Sequence, residues 1–151
     1  MRSYLTEVCQ DYAGMSLFAT ATKRDLRLFA ATATRLDLRP GTTITAQGRR
    51  QQEFGVVIDG HASVMRDGRA VGQLQRGDCF GEFTVLRGLA QPVTIVATTP
   101  VTVDAVSGPE FRATLGSCAV VRRRIEQELD GRIRDWVRSV PTAYVAEEVA
   151  V

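Results

Sequence analysis

The sequence predicts a mainly β domain: a double-stranded, jelly-roll type β-roll set between an N-terminal helical segment and C-terminal helices. Three observations predict it. Short β-branched runs crowd the middle of the chain. Glycine-containing turn pairs punctuate them at regular spacing, the signature of a sandwich or barrel. Helical periodicity is confined to the two ends.

Bulk properties bound the function classes. The chain has 151 residues, 44% hydrophobic and 24% charged, which suits one globular domain with a real core. A net charge of +2 is too small to argue for nucleic acid. Cys9, Cys79 and Cys118 are widely spaced and form no metal-ligand pattern, which points to a reducing compartment. No apolar run approaches the roughly 20 residues of a membrane span, and residues 1–12 lack a signal-peptide core. The expectation is a cytoplasmic protein with no membrane partner.

The elements follow in order. Between Met15 and Ala33, Leu17, Phe18, Leu26, Phe29, Ala30 and Ala33 recur at near-helical spacing. Thr22 with Asp25 three residues on reads as an N-cap, and Arg39-Pro40-Gly41 as the stop. From Leu36 to Val106 the strand runs are Thr42–Thr45, Phe54–Ile58, Ala62–Met65, Ala70–Leu74, Val93–Val96 and Val101–Val103. Asp59-Gly60 and Asp67-Gly68 are hairpin pairs, because glycine accepts the positive φ of primed turns. Ser107-Gly108-Pro109-Glu110 reads as a helix start with a capping box, and Gly116-Ser117 as a break. Ile125, Leu129, Ile133, Trp136, Val137 and Val140 then form an apolar stripe on a helix otherwise rich in Arg, Glu and Asp. Residues after Pro141 read as a tail. The expected division is an extension at 1–14, a domain at 15–140 and a tail at 141–151.

The chemistry concentrates in Gly77-Asp78-Cys79-Phe80-Gly81-Glu82-Phe83-Thr84-Val85-Leu86 and Gln91-Pro92-Val93-Thr94-Ile95-Val96-Ala97. This pair of segments resembles the phosphate-binding cassette of the cyclic nucleotide-binding domain family. That family includes the sensor domain of catabolite activator-type regulators and of cAMP-dependent kinase regulatory subunits. The resemblance extends over Leu17-Phe18-Ala19, Arg39-Pro40-Gly41, Gln47-Gly48 and Val57-Ile58-Asp59-Gly60, in the family's order. It implies a β-roll fold and a ligand site at Phe80, Gly81, Glu82, Phe83, Gln91, Pro92, Val93 and Thr94. It further implies that Glu82 accepts a hydrogen bond from a ribose 2′-hydroxyl. Gly81 would allow close backbone approach, and the helix starting near Glu82 would point N–H groups at a phosphate. The first candidate ligand is cAMP, with cGMP second, and no cofactor or metal is implied.

Two positions depart from the family pattern. Gln91 stands where the family has its phosphate-pairing arginine, and Pro92, next to it, has no backbone N–H to offer. At about 1.5–3 kcal/mol for a charged hydrogen bond, losing both donors weakens phosphate binding by roughly 10²-fold or more. Arg87, between the cassette halves, is the nearest candidate substitute cation. The expected function is therefore a non-enzymatic regulatory or sensor module with weak or lost cAMP binding. Two alternatives stand beside it. One is a ligand-independent scaffold that dimerises or docks an effector of unknown identity through Ile125, Leu129, Ile133 and Trp136. The other is a cupin-type metal enzyme, disfavoured because His61 is the only histidine. A homodimer through the C-terminal helix is expected, with packing of the same stripe on the chain's own β-roll as the other reading, and nucleic acid is not expected.

Overall fold

The computed structural model of the chain describes residues 10–114 and 119–138, the last three as backbone alone. A 3₁₀ turn at Ser16–Phe18 precedes helix α1 (Lys23–Thr32). Strands β1 (Thr34–Leu38), β2 (Thr43–Thr45), β3 (Glu53–Asp59), β4 (Ala62–Arg66), β5 (Arg69–Leu74) and β6 (Cys79–Phe80) follow. The short helix α2 (Glu82–Arg87) interrupts them before β7 (Thr94–Ala97) and β8 (Val101–Ser107). Helices α3 (Gly108–Ala113) and α4 (Ala119–Arg138) complete the order.

The strands form two four-stranded antiparallel sheets, ordered β1-β8-β3-β6 and β2-β7-β4-β5. This is the expected β-roll. The β4–β5 hairpin turns at Asp67-Gly68, both with positive φ (50° and 79°), as a primed turn requires.

The N-terminal half departs from expectation in two places. The helical segment expected over Met15–Ala33 is two pieces, divided at the expected N-cap Thr22. Thr22 caps α1: its hydroxyl accepts from the Asp25 N–H at 3.1 Å, and the Asp25 carboxylate accepts from the Thr22 N–H at 3.0 Å. A capping residue adopts extended backbone, here φ −77° and ψ 163°, so the chain cannot run helically through it. The second departure is β1: the helix expected to stop at Arg39-Pro40-Gly41 ends at Thr32, and β1 takes up Thr34–Leu38 ahead of the first expected strand run. It pairs with β8 in the register Leu36↔Val103. Its residues are almost all exposed, so no inward alternation marks it as a strand. The Ser107 start of α3 is as expected, its hydroxyl accepting from the Glu110 N–H at 3.2 Å. The expected break at Gly116-Ser117 and the tail beyond Pro141 lie outside the described residues.

Strand β3 explains why Phe54–Ile58 is an unbroken apolar run: it is buried on both faces. Phe54, Val56 and Ile58 face a helical layer with Phe18, Phe29, Phe111, Val121 and Ile125. Val57 faces the roll interior with Val64, Leu74, Phe80, Ile95 and Val103. An aromatic chain runs through the helical layer, with ring centroids 4.9 Å apart for Tyr12–Phe18, 5.8 Å for Phe18–Phe29 and 4.2 Å for Phe54–Phe111. Buried Asp104 on β8 binds this layer to the sheet. It accepts from the Tyr12 hydroxyl at 2.8 Å and from Arg35 at 2.9 and 3.0 Å. Helix α4 reaches both layers, Val121 and Ile125 in the first and Leu129 and Ile133 in the second. It therefore lies across the end of the roll that carries α2.

Candidate functional site

The site is built on a two-residue strand. β6 pairs Gly55↔Phe80 and Val56↔Cys79 with β3, which fixes the chain immediately before the cassette. Gly81 then turns it with φ +82°. A side chain there would place its Cβ 2.0 Å from the Glu53 carbonyl oxygen, so only glycine permits this approach. Helix α2 begins at the next residue, Glu82, and ends on Gly88, also left-handed at φ 67°.

Glu82 is 3% exposed. Its Oε1 lies 4.0 Å from Nη1 of Arg132 on α4, and its Oε2 has no hydrogen-bond partner among the described residues. Burial pushes the carboxyl above the ordinary carboxylate range, while the Arg132 charge pulls it back. Arg132 also donates to the Cys79 carbonyl at 2.8 Å and to Asp78 Oδ1 at 3.0 Å. Burial opposes the charge of Arg132, but its acidic neighbours outweigh that and hold it firmly protonated. Asp78 is itself positioned by the preceding turn, its Oδ2 accepting from the Gln75 N–H at 2.8 Å. Cys79 is buried, and its thiol is pushed up by burial and then by Glu82, so it stays protonated.

The second half of the cassette folds against the first. Gln91 is 4% exposed. Its N–H donates to the Arg49 carbonyl and its carbonyl accepts from the Gly48 N–H, both at 2.8 Å. Its side-chain Nε2 turns toward the Thr84 hydroxyl at 3.4 Å. That hydroxyl accepts from the Gln51 N–H at 2.9 Å and donates to the Leu89 carbonyl at 2.6 Å, so Thr84 joins α2 to both flanking loops. Pro92 follows half-buried, and Val93 is buried in the roll interior with Phe80 and Phe83. The Thr94 hydroxyl accepts from the Gln47 N–H at 2.9 Å, a bond that holds the loop after β2. The structure thus brings Phe80, Gly81, Glu82, Phe83, Gln91, Pro92, Val93 and Thr94 around one end of the roll.

Arg87, the candidate substitute cation, is turned to another task. Its Nη2 donates to Asp130 on α4 at 3.0 Å. The first part of the α4 stripe packs inside the domain. Ile125 and Leu129 are 0% and 1% exposed inside the domain's own core, and Ile133 packs partly buried beside Leu129. The described part of the stripe, Ile125, Leu129 and Ile133, packs within one chain. The Trp136 side chain lies outside the described residues.

Sequence reasoning gave no role to Asp78, Thr84, Asp130 and above all Arg132. The one available signal was that Arg132 borders the stripe between Leu129 and Ile133, where a cation must either leave the core or find acids inside it. Arg132 also borders an open cleft of about 780 Å³ lined by Met15, Ser16, Asp59, His61, Arg76 and Glu128 among others. His61 is exposed there, as its turn position suggested. Among the described residues, no three His, Cys, Asp or Glu side chains converge as a metal-binding set. No described helix is long and apolar enough to cross a membrane.

Comparisons with known proteins follow this geometry. An uncharacterised protein of Mycobacterium tuberculosis is 33% identical over 88 residues, which are 58% of this chain and 18% of that protein. The chain therefore spans less than a fifth of that curated relative. Among solved structures, cAMP-bound PfPKA-R superposes with a TM-score of 0.83 over 93% of this chain and 49% of that one, at 16% identity. The regulatory subunit of a cAMP-independent protein kinase A from Trypanosoma brucei superposes as a triple mutant bound to cAMP in its A site. Its TM-score is 0.72 at 19% identity, over 86% of this chain and 52% of that one. These superpositions show the β-roll fold. The sequence profile of the cyclic nucleotide-binding domain matches residues 35–118, more than half of the chain, and the chain belongs to that family of regulatory, cyclic nucleotide-sensing domains.

Proposed function

We propose that this domain is a regulatory module of the cyclic nucleotide-binding family whose phosphate subsite is disabled, so that it binds cAMP weakly or not at all and catalyses nothing. The observation that carries this reading is Gln91. It occupies the cassette arginine's position as a buried, neutral side chain turned onto Thr84, with its main chain clamped by Gly48 and Arg49. Pro92 removes the adjacent N–H. Arg87 supplies no substitute, because it is paired with Asp130. The Trypanosoma brucei mutant supports the same logic. Two of its three changes are a threonine to arginine and, at the next position, a valine to alanine, and that protein carries cAMP.

Output follows α4. Arg132, Arg87 and Leu129 hold this helix against the cassette. A ligand that signals must favour one position of α4 over another. The same contacts favour a second reading, in which the seated α4 makes the domain a ligand-independent docking scaffold for an effector.

Calorimetry tests the proposal. We expect the wild-type chain to give little or no heat with cAMP, and Gln91→Arg with Pro92→Ala to tighten binding by about 10²-fold. Tight wild-type binding of cAMP overturns the reading, and in that case Arg87→Ala decides whether Arg87 leaves Asp130 for the phosphate.

A further inference from the structure

We infer that the cleft along α4 is a docking groove for a basic, extended segment of a partner protein. The inference gives the docking reading above its surface and rests on α4 being seated as described. It is separate from the nucleotide question, because Gly81, Glu82, Gln91 and Pro92 do not line this cleft.

The charge of the walls is the first observation. At about 780 Å³ the cleft has the volume of a ligand site. Asp59, Asp78, Glu128 and Asp135 line it with Arg76 and Arg132, so four carboxylates meet two guanidiniums, although the whole chain is +2. Both guanidiniums are already committed. Arg76 donates to the Ile58 carbonyl at 3.0 Å and to the Asp11 carbonyl. Arg132 donates to the Cys79 carbonyl at 2.8 Å and to Asp78 at 3.0 Å. Their N–H groups serve main-chain oxygens and Asp78, and the cleft keeps an excess of carboxylate. A cleft with one sign in excess concentrates ligands of the other sign, so a cation is favoured and an anion repelled.

Gly131 is the second observation. Glu128, Gly131, Arg132 and Asp135 share the face of α4 that lines the cleft, at spacings of three and four. Glycine is among the least favourable residues in the interior of a helix. Packing does not demand it here: a Cβ at Gly131 would meet no atom within 4 Å among the described residues. The helix carries bare backbone where it faces the cleft, which lets another main chain pass close. Gly14, Gly60 and Gly77 line the same cleft from the loops. Walls of this kind suit a peptide, which brings a main chain together with its cations, better than a free amine.

The test is fluorescence anisotropy of a labelled octapeptide of alternating arginine and serine, titrated with the 151-residue chain. We expect a Kd below about 100 μM at low salt, weakening as salt is raised, and no binding of the matching glutamate–serine peptide. Gly131→Leu fills the groove with a better helix former. It should hold or raise the melting temperature while weakening the arginine peptide by at least about tenfold. Asp59→Lys reverses an exposed charge on the β3–β4 turn and should weaken the same peptide by about tenfold. Full affinity in both variants, or equal binding of the glutamate peptide, overturns the inference. Silence of the arginine peptide up to about 1 mM overturns it too, and leaves the disabled phosphate subsite standing, since that reading needs no basic partner. Spermidine that competes with an affinity equal to the peptide's overturns the peptide as occupant. A wild-type chain that self-associates in light scattering, and loses this in Gly131→Leu, gives the groove to a second copy and overturns the partner.

Discussion

Burial raises the Glu82 carboxyl above its ordinary value of 4.5, and the Arg132 charge only partly restores it. The sign of the consequence follows from proton binding. Above that ordinary value the folded state holds more protons on this group than the unfolded state does, so stability falls as pH rises. The contribution is complete below 4.5 and is lost as pH climbs through the raised folded value. Glutamine keeps the shape and cannot ionise. We therefore expect Glu82→Gln to gain stability over wild type progressively as pH is raised from about 4 to about 8, read by urea unfolding at each pH. A gap that shrinks over this range would show that pairing with Arg132 outweighs burial. Gly81 makes the opposite kind of demand, steric where Glu82 is electrostatic. Its φ is +82°, and an added Cβ would lie 2.0 Å from the Glu53 carbonyl oxygen, which leaves no room for alanine. Gly81→Ala should cost more than about 2 kcal/mol in the same assay. An effect near zero would mean that β6 and α2 can shift apart without loss. Both residues were legible in the sequence because they sit inside a contiguous motif. Arg132 was not, since its partners Asp78, Cys79 and Glu82 lie some fifty residues earlier in the chain, and no local pattern announces a contact of that separation.

At the scale of elements, α4 is the piece whose chemistry and position bear most on function. Its apolar stripe was plain from the spacing of Ile125, Leu129 and Ile133, but periodicity reports which face is apolar and not what covers it. The cover is the domain's own helical layer and roll interior. Capping residues were readable for the opposite reason. Thr22 with Asp25, Ser107 with Glu110, and the Asp67-Gly68 turn act within a few residues, so the sequence holds both partners side by side. β1 escaped because an edge strand with exposed side chains has no alternation to read. The polar seat of α4 can be loosened apart from its apolar one. Arg132→Ala removes the bonds to Cys79 and Asp78 and takes the guanidinium charge away from the Glu82 carboxyl. We expect amide exchange to accelerate across α4 while the β3 and β8 amides keep their protection, as measured by hydrogen–deuterium exchange. Equal acceleration in the strands would mean that α4 and the roll open as one unit.

The whole molecule is two cores sharing one wall. β3 gives Phe54, Val56 and Ile58 to the helical layer and Val57 to the roll, and α4 crosses from the first core to the second. Ile125 and Leu129 of this helix are spent on the chain's own cores, which bears directly on the homodimer expected from the stripe. The two arrangements differ in their dependence on concentration. If the stripe joined two chains, unfolding would be linked to dissociation, and the melting temperature would rise with protein concentration. If it closes one chain, the melting temperature is fixed. We expect Leu129→Ala to lower stability by about 2–5 kcal/mol, the range for emptying a fully buried leucine site. We also expect wild type and variant to melt at temperatures that do not move when concentration is changed by about tenfold. Light scattering at the same concentrations completes the measurement, because an association through some other surface would leave the melting temperature of Leu129→Ala low while its mass stayed equal to that of wild type. A variant whose mass halves, or a wild type whose melting temperature climbs with concentration, would return the stripe to the dimer interface and require α4 to leave its own roll.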